Sequence, residues 1–109
     1  MGKPHLRVIG VDDAAFTRRS RRAFVVAVAM SLPHLVEGVE LTAVTVDGDD
    51  ATRHLIAVLG RSPFLRGARA ILVDGVAVAG FNLIDLASLA RNLERPVISV
   101  TPKAPEYGR

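Results

Sequence analysis

Short apolar blocks run along this chain between charged or Gly- and Pro-containing stretches, and their internal spacing switches between that of strands and that of helices. The densest block, Ile71-Leu72-Val73, shows no polar alternation and leads at once into Asp74-Gly75. It reads as a strand buried on both faces that delivers one carboxylate at its C-terminal end. His5 to Val11 reads as a first strand ending at Asp12-Asp13, Ala23 to Met30 as a well-buried second strand closed by Pro33, and Val39 to Val46 as a third. Ala14 to Arg22 has no apolar face and is too short for a crossover helix, so it should be a hairpin connector between the first two strands. Ala51 to Leu59 carries Leu55, Ile56 and Leu59 on one side, and Leu83, Leu86, Ala87, Ala90 and Leu93 recur at helical spacing. These are the two helices. Asn82 with Asp85 makes a capping pair for the second, and Pro96 to Thr101 is a fifth strand. The resulting order, β-β-β-α-β-α-β, predicts an α/β domain with a mixed five-stranded sheet: a meander of three strands, then two helical crossovers that bring in parallel strands.

Composition narrows the classes of function. With 109 residues the chain forms one domain with a real core. Its longest apolar run, Ala23 to Met30, is far short of the roughly 20 residues that span a bilayer, so no membrane partner is expected. The N-terminal sequence reaches Asp12 and Asp13 before any long apolar segment, which argues against an ordinary signal peptide. The absence of cysteine excludes disulfides, a thiol nucleophile and a thiolate metal site, and makes the cytoplasm the expected compartment.

The net charge is only +3, but its distribution is uneven. Twelve of the 14 basic residues are arginine, the better phosphate fork, while Asp12, Asp13, Asp47, Asp49, Asp50 and Asp74 gather where predicted strands end. Arg18, Arg19, Arg21 and Arg22 in the first connector could hold a phosphate backbone, although such runs also serve as solvated loops. If the fourth strand docks beside the first, Asp12 and Asp74 project about 5 Å apart. An acid from Asp47-Gly48-Asp49-Asp50, ahead of the first helix, could complete a triangle, helix capping being the competing role for that acid. Carboxylates so placed suit Mg²⁺ or Mn²⁺ and metal-dependent phosphodiester hydrolysis.

Three sequence blocks carry the reading further. They are His5-Leu6-Arg7-Val8-Ile9-Gly10-Val11-Asp12-Asp13, Thr45-Val46-Asp47-Gly48-Asp49-Asp50-Ala51-Thr52, and Asp74 through Asn82. In this order they resemble the archaeal endonuclease dU family, a former domain of unknown function related to endonuclease V. The resemblance implies a ribonuclease H-like fold and Mg²⁺- or Mn²⁺-dependent cleavage of DNA containing deaminated bases, deoxyuridine among them, in DNA repair. It implies Asp12, Asp74 and Asp50 as catalytic acids, with Asp47 the alternative to Asp50 as a metal ligand. Gly75, Gly80, Phe81 and Asn82 would form the pocket or turn that follows, and Lys103 resembles a lysine found after the fifth strand. Where endonuclease V has a histidine after its Asp-Gly, this chain has Val76-Ala77-Val78. Family members also continue with helical sequence past the point matching Arg109, so a C-terminally short relative is expected, with a second copy or a partner chain covering the exposed sheet. Two other readings stand beside this one. The strand ends at Asp12-Asp13, Asp74 and Thr101 resemble a response-regulator receiver with Asp74 as phosphoacceptor. A catalytically inactive nucleic-acid-binding or oligomerising remnant is the third.

Overall fold

A computed structural model describes residues 6–17 and 19–101. Strands β1 (Leu6–Asp13), β2 (Arg22–Leu32) and β3 (Leu35–Thr45) form an antiparallel meander. Helix α1 (Ala51–Gly60) and a 3₁₀ turn (Leu65–Gly67) lead to β4 (Ala68–Asp74), which pairs with β1 in parallel. A small hairpin, β5 (Ala77–Val78) and β6 (Asn82–Leu83), precedes α2 (Leu86–Leu93) and β7 (Val97–Val100), the last strand lying parallel to β4. The five-stranded sheet runs β3-β2-β1-β4-β7, as the element order predicts. The direct antiparallel pairing of β1 with β2 leaves no place for the crossover helix that a receiver requires after its first strand.

Period-two alternation decides which side of the sheet is covered. Ile9 and Val11 on β1, Val25, Ala27 and Ala29 on β2, Val44 on β3, and Ile71 and Val73 on β4 are all buried, in one core with Leu55, Val58 and Leu59 of α1 and Leu89 and Leu93 of α2. The alternate positions form the other face, where Phe24, Val39, Leu41, Ile98 and Val100 are exposed. The expectation of strands buried on both faces is therefore corrected. β2 from Ala23 to Met30 and β4 from Ala70 to Val73 are continuously apolar because both faces are apolar there, yet only one carries helices, and Leu72 lies on the open side.

Local departures have local causes. β3 starts at Leu35 rather than Val39 because the turn contracts to Pro33-His34, and pairing resumes at Ser31 opposite Leu35. Gly38 leaves room for the Phe64 ring, which a Cβ would strike. Two arginines serve the fold rather than a ligand. Arg7 forms a two-pronged pair with Glu37, at 2.6 and 3.1 Å, and the Arg95 guanidinium donates to the carbonyls of Leu65, Arg66, Ala68 and Glu94.

Asp85 caps α2 by accepting from the Ser88 N–H, whereas its expected partner Asn82 caps the other helix: Asn82 Oδ1 accepts the Ala51 N–H at 3.0 Å. No helix is long and apolar enough to cross a membrane among the described residues.

Candidate active site at the carboxyl end of the sheet

β1, β3, β4 and β7 all point the same way, because β1 and β3 each run antiparallel to β2 and β4 and β7 run parallel to β1. Their C-terminal ends thus share one edge of the molecule, the place where open α/β sheets bind ligands. Val11 lies opposite Val73, so the next residues, Asp12 and Asp74, lie level on adjacent strands. Both are exposed and border a hollow of about 410 Å³ on the uncovered face, lined also by Gly10, Val28, Met30, Leu72 and Val100. Asp12 Oδ1 accepts the Asp13 N–H at 2.8 Å, and the Asp74 carboxylate has no partner among the described residues. Gly75 turns the chain away with φ 76°, its N–H bonded to the Val100 carbonyl and its own carbonyl accepting from Ser99 Oγ.

The remaining acids point elsewhere. Asp13 faces the helix side and accepts the Ala79 N–H at 2.7 Å, which fastens the β5–β6 hairpin to the end of β1. Asp47 does the same from β3: its N–H donates to the Ala79 carbonyl and its Oδ1 accepts the Phe81 N–H, both at 2.9 Å. Asp50 is buried. Its Oδ1 accepts from the Thr45 N–H and the Asn82 amide, its Oδ2 accepts from the Thr45 hydroxyl, and His54 Nε2 stands 3.4 Å away. Burial pushes the Asp50 carboxyl up, but the hydrogen bonds from the Thr45 N–H, the Asn82 amide and the Thr45 hydroxyl outweigh it and hold the group well below the usual carboxylate range. Asp49 is exposed.

The expected triangle therefore reduces to a pair. Among the described residues no three His, Asp or Glu side chains converge into a metal-binding group. Asp50 turns inward to brace the loop before α1, and Asp47 braces the hairpin, so neither joins Asp12 and Asp74. Two adjacent carboxylates still fit a divalent cation that keeps waters and phosphate oxygens as its other ligands, as Mg²⁺ commonly does. Arg19 and Arg21 are exposed in the β1–β2 connector at this same edge, and Arg22 donates to the Ala43 carbonyl. Arg18 and Lys103 lie outside the described residues. Sequence reasoning placed Asp13 at a strand end but missed its bond to the hairpin and the hairpin's two-residue strands. A signal for the hairpin exists in Ala79-Gly80, both of which take positive φ, but alanine at φ 49° is not a turn signature.

With this arrangement in view, comparison with known proteins is decisive on family. The model of the endonuclease dU family matches residues 4–109. The chain belongs to that family. It is 40% identical over 104 residues to the UPF0215 protein of Methanopyrus kandleri, a match covering 95% of this chain and 53% of the relative. A protein of unknown function from Archaeoglobus fulgidus, solved as a crystal structure, superposes with a TM-score of 0.83 at 34% identity over 93% of this chain and 56% of that one. Ciona intestinalis endonuclease V, solved with a 23mer DNA containing an inosine followed by a ribo-adenosine, superposes with a TM-score of 0.61 at 16% identity over 94% of this chain and 48% of that one. The endonuclease dU chain described here thus shares the ribonuclease H-like fold of endonuclease V, and it spans about half the length of the curated relatives it matches.

Proposed function

We propose that this endonuclease dU chain contributes the acidic centre of a divalent-metal-dependent endonuclease that cuts DNA at deaminated bases. The observation that carries the reading is the level placement of Asp12 and Asp74 at the carboxyl ends of adjacent parallel strands, without a neutralising partner among the described residues and beside an arginine-bearing loop. Asp12 and Asp74 would hold Mg²⁺ or Mn²⁺, which when bound supplies an activated water and neutralises the leaving oxygen. The residues of the chain do the rest. Gly75 turns the backbone clear of the acids, and Arg19 and Arg21 draw in the phosphate backbone, with Arg18 and Lys103 as further contacts from the sequence. The test is nicking of labelled duplexes containing uracil, hypoxanthine or no lesion, with Mg²⁺, Mn²⁺ or EDTA. Metal-dependent nicking of lesion-bearing DNA is expected, falling steeply with salt as phosphate contacts are screened. No metal-dependent nicking of any duplex would overturn the reading.

The uncovered sheet face belongs to the same proposal. Phe24, Val39, Leu41, Ile98 and Val100 expose a contiguous apolar surface of the kind that marks an interface. The occupant is a second copy of the chain. In its middle the face presents Val26, Val28 and Met30 of β2 opposite Leu41, Val39 and Val36 of β3, so this part can meet a second copy without burying charge. Light scattering at micromolar concentration should show a dimer, and Leu41→Lys should dissociate it. A monodisperse monomer for the parent chain would sink this.

A further inference from the structure

The last residue of β4 is held from one side. Pairing of β4 with β1 ends at Val73, opposite Val11, whereas its pairing with β7 continues one residue further, to Asp74 opposite Val100. Past that point β7 fastens the turn at two atoms: the Val100 carbonyl accepts the Gly75 N–H at 3.0 Å, and the Ser99 hydroxyl donates to the Gly75 carbonyl at 2.7 Å. Gly75 is thus gripped at both of its polar groups. The hydroxyl stands where the strand pattern calls for an aliphatic side chain, because Ser99 follows Val97 on the helix-covered face and lies opposite the fully buried Val73. Its bond to Gly75 is the hydroxyl's one hydrogen bond among the described residues.

We infer that Ser99, acting through Gly75, positions Asp74 for the divalent cation of the proposed site, an assignment that rests on that site. The two acids are held differently. Asp12 Oδ1 accepts the N–H of the next residue, which restricts its carboxylate directly, but the Asp74 carboxylate has no partner among the described residues. Its direction is therefore set by its own backbone, and that backbone is set by the turn after it. Gly75 takes φ 76°, where an added Cβ would meet no atom within 4 Å, so the bend itself and not crowding requires glycine. Such a bend needs anchoring. Removing the Ser99 hydroxyl frees the Gly75 carbonyl to rotate, and the Asp74 carboxylate swings with it. A working ligand must stay within about 0.5 Å of its place, and groups that orient metal ligands commonly matter 10- to 100-fold in metal affinity. Ser99 lies on the face of the sheet opposite the two carboxylates, so it acts through the backbone and not as a ligand.

The test measures Mn²⁺ binding to the chain alone, by a titration followed with electron paramagnetic resonance, before any DNA is added. Ser99→Ala is expected to weaken Mn²⁺ binding about tenfold, at the low end of that range because one neutral hydrogen bond is lost one residue away from the ligand. Ser99→Thr keeps a hydroxyl on a residue that favours strands and should bind Mn²⁺ as the parent does. Gly75→Ala adds no clash but strains the bend, so it too should weaken Mn²⁺ binding, and it carries the test if Ser99→Ala fails to fold. Nicking by Ser99→Ala should be slow at limiting Mn²⁺ and recover at saturating Mn²⁺, with DNA binding in EDTA at the parent level. Parent affinity for Mn²⁺ in Ser99→Ala would overturn the assignment, and a lowered melting temperature beside it would make the hydroxyl purely structural. A loss that Ser99→Thr does not restore would overturn it as well. A parent chain that binds no Mn²⁺ would remove the cation site and the role of Ser99 with it, so the parent's own titration tells the two failures apart.

Discussion

Asp74→Asn and Asp12→Asn should each reduce metal-dependent nicking by more than a hundredfold without destabilising the fold. Altering groups that merely orient metal ligands commonly costs 10- to 100-fold, so removing a charged ligand should exceed that. The stability half of the expectation follows from geometry. The two acids lie level on adjacent strands, about 5 Å apart by strand spacing, and both are exposed. At water-like dielectric their repulsion is on the order of 1 kcal/mol. An amide in place of either carboxylate removes that repulsion, keeps the side chain's shape and breaks no bond that holds another segment. The metal-free variant should melt no lower than the parent, yet lose the rise in melting temperature that Mn²⁺ gives by binding the folded state. A purely structural Asp behaves oppositely, since a lost turn or cap contact typically costs about 1 kcal/mol and leaves any metal response intact. Thermal melts of the parent and both variants, with Mn²⁺ and with EDTA, decide between these. A lower metal-free melting temperature for Asp74→Asn with the Mn²⁺ shift preserved would remove the centre of the proposed site.

That pair was legible in the sequence because it depends on two local facts, an apolar run and the residue that ends it. Ile71-Leu72-Val73 before Asp74, and Val8-Ile9-Gly10-Val11 before Asp12, specify strands whose final side chains must emerge at an edge. The third acid was not legible. In Asp47-Gly48-Asp49-Asp50 every acid stands before the same helix, and only the tertiary partners decide their directions: Asp47 goes to Phe81, 34 residues away, and Asp50 to Asn82, 32 residues away. The same limit hid the role of Asn82. Three residues before Asp85 it looks like half of a local capping box, but α1 is the helix it caps. Arg7 and Arg95, counted by composition among possible phosphate forks, are committed to Glu37 and to backbone carbonyls. Nor could patterning show which face of the sheet lacks helices, because β2 is apolar on both.

The buried polar knot around Asn82 should prove more important to folding than any acid at the site. Asn82 is fully buried; its amide donates to the Thr45 carbonyl and to Asp50 Oδ1, both at 2.8 Å, and its Oδ1 accepts the first N–H of α1. One side chain thus ties the end of β3, the start of α1 and the hairpin together. Asn82→Ala leaves the Ala51 N–H without a partner, takes one donor from the Thr45 carbonyl, which keeps the Gly48 N–H, and takes one from a buried carboxylate, which should cost about 2–4 kcal/mol, since each buried unsatisfied group costs about 1–3. Asn82→Asp should be worse at neutral pH, because it sets a second carboxylate against Asp50. Its stability should recover as pH falls from 7 toward 5, since the folded state then binds a proton the unfolded state does not. The parent has the opposite slope. The hydrogen bonds that hold Asp50 below the usual carboxylate range give stability present above its unfolded pKa of about 4 and lost as pH falls further toward its folded value. Urea unfolding of parent and variants between pH 3 and pH 7 measures both slopes. Parallel pH profiles for the parent and Asn82→Asp would show that the amide of Asn82 does not face Asp50, and the knot would have to be redrawn.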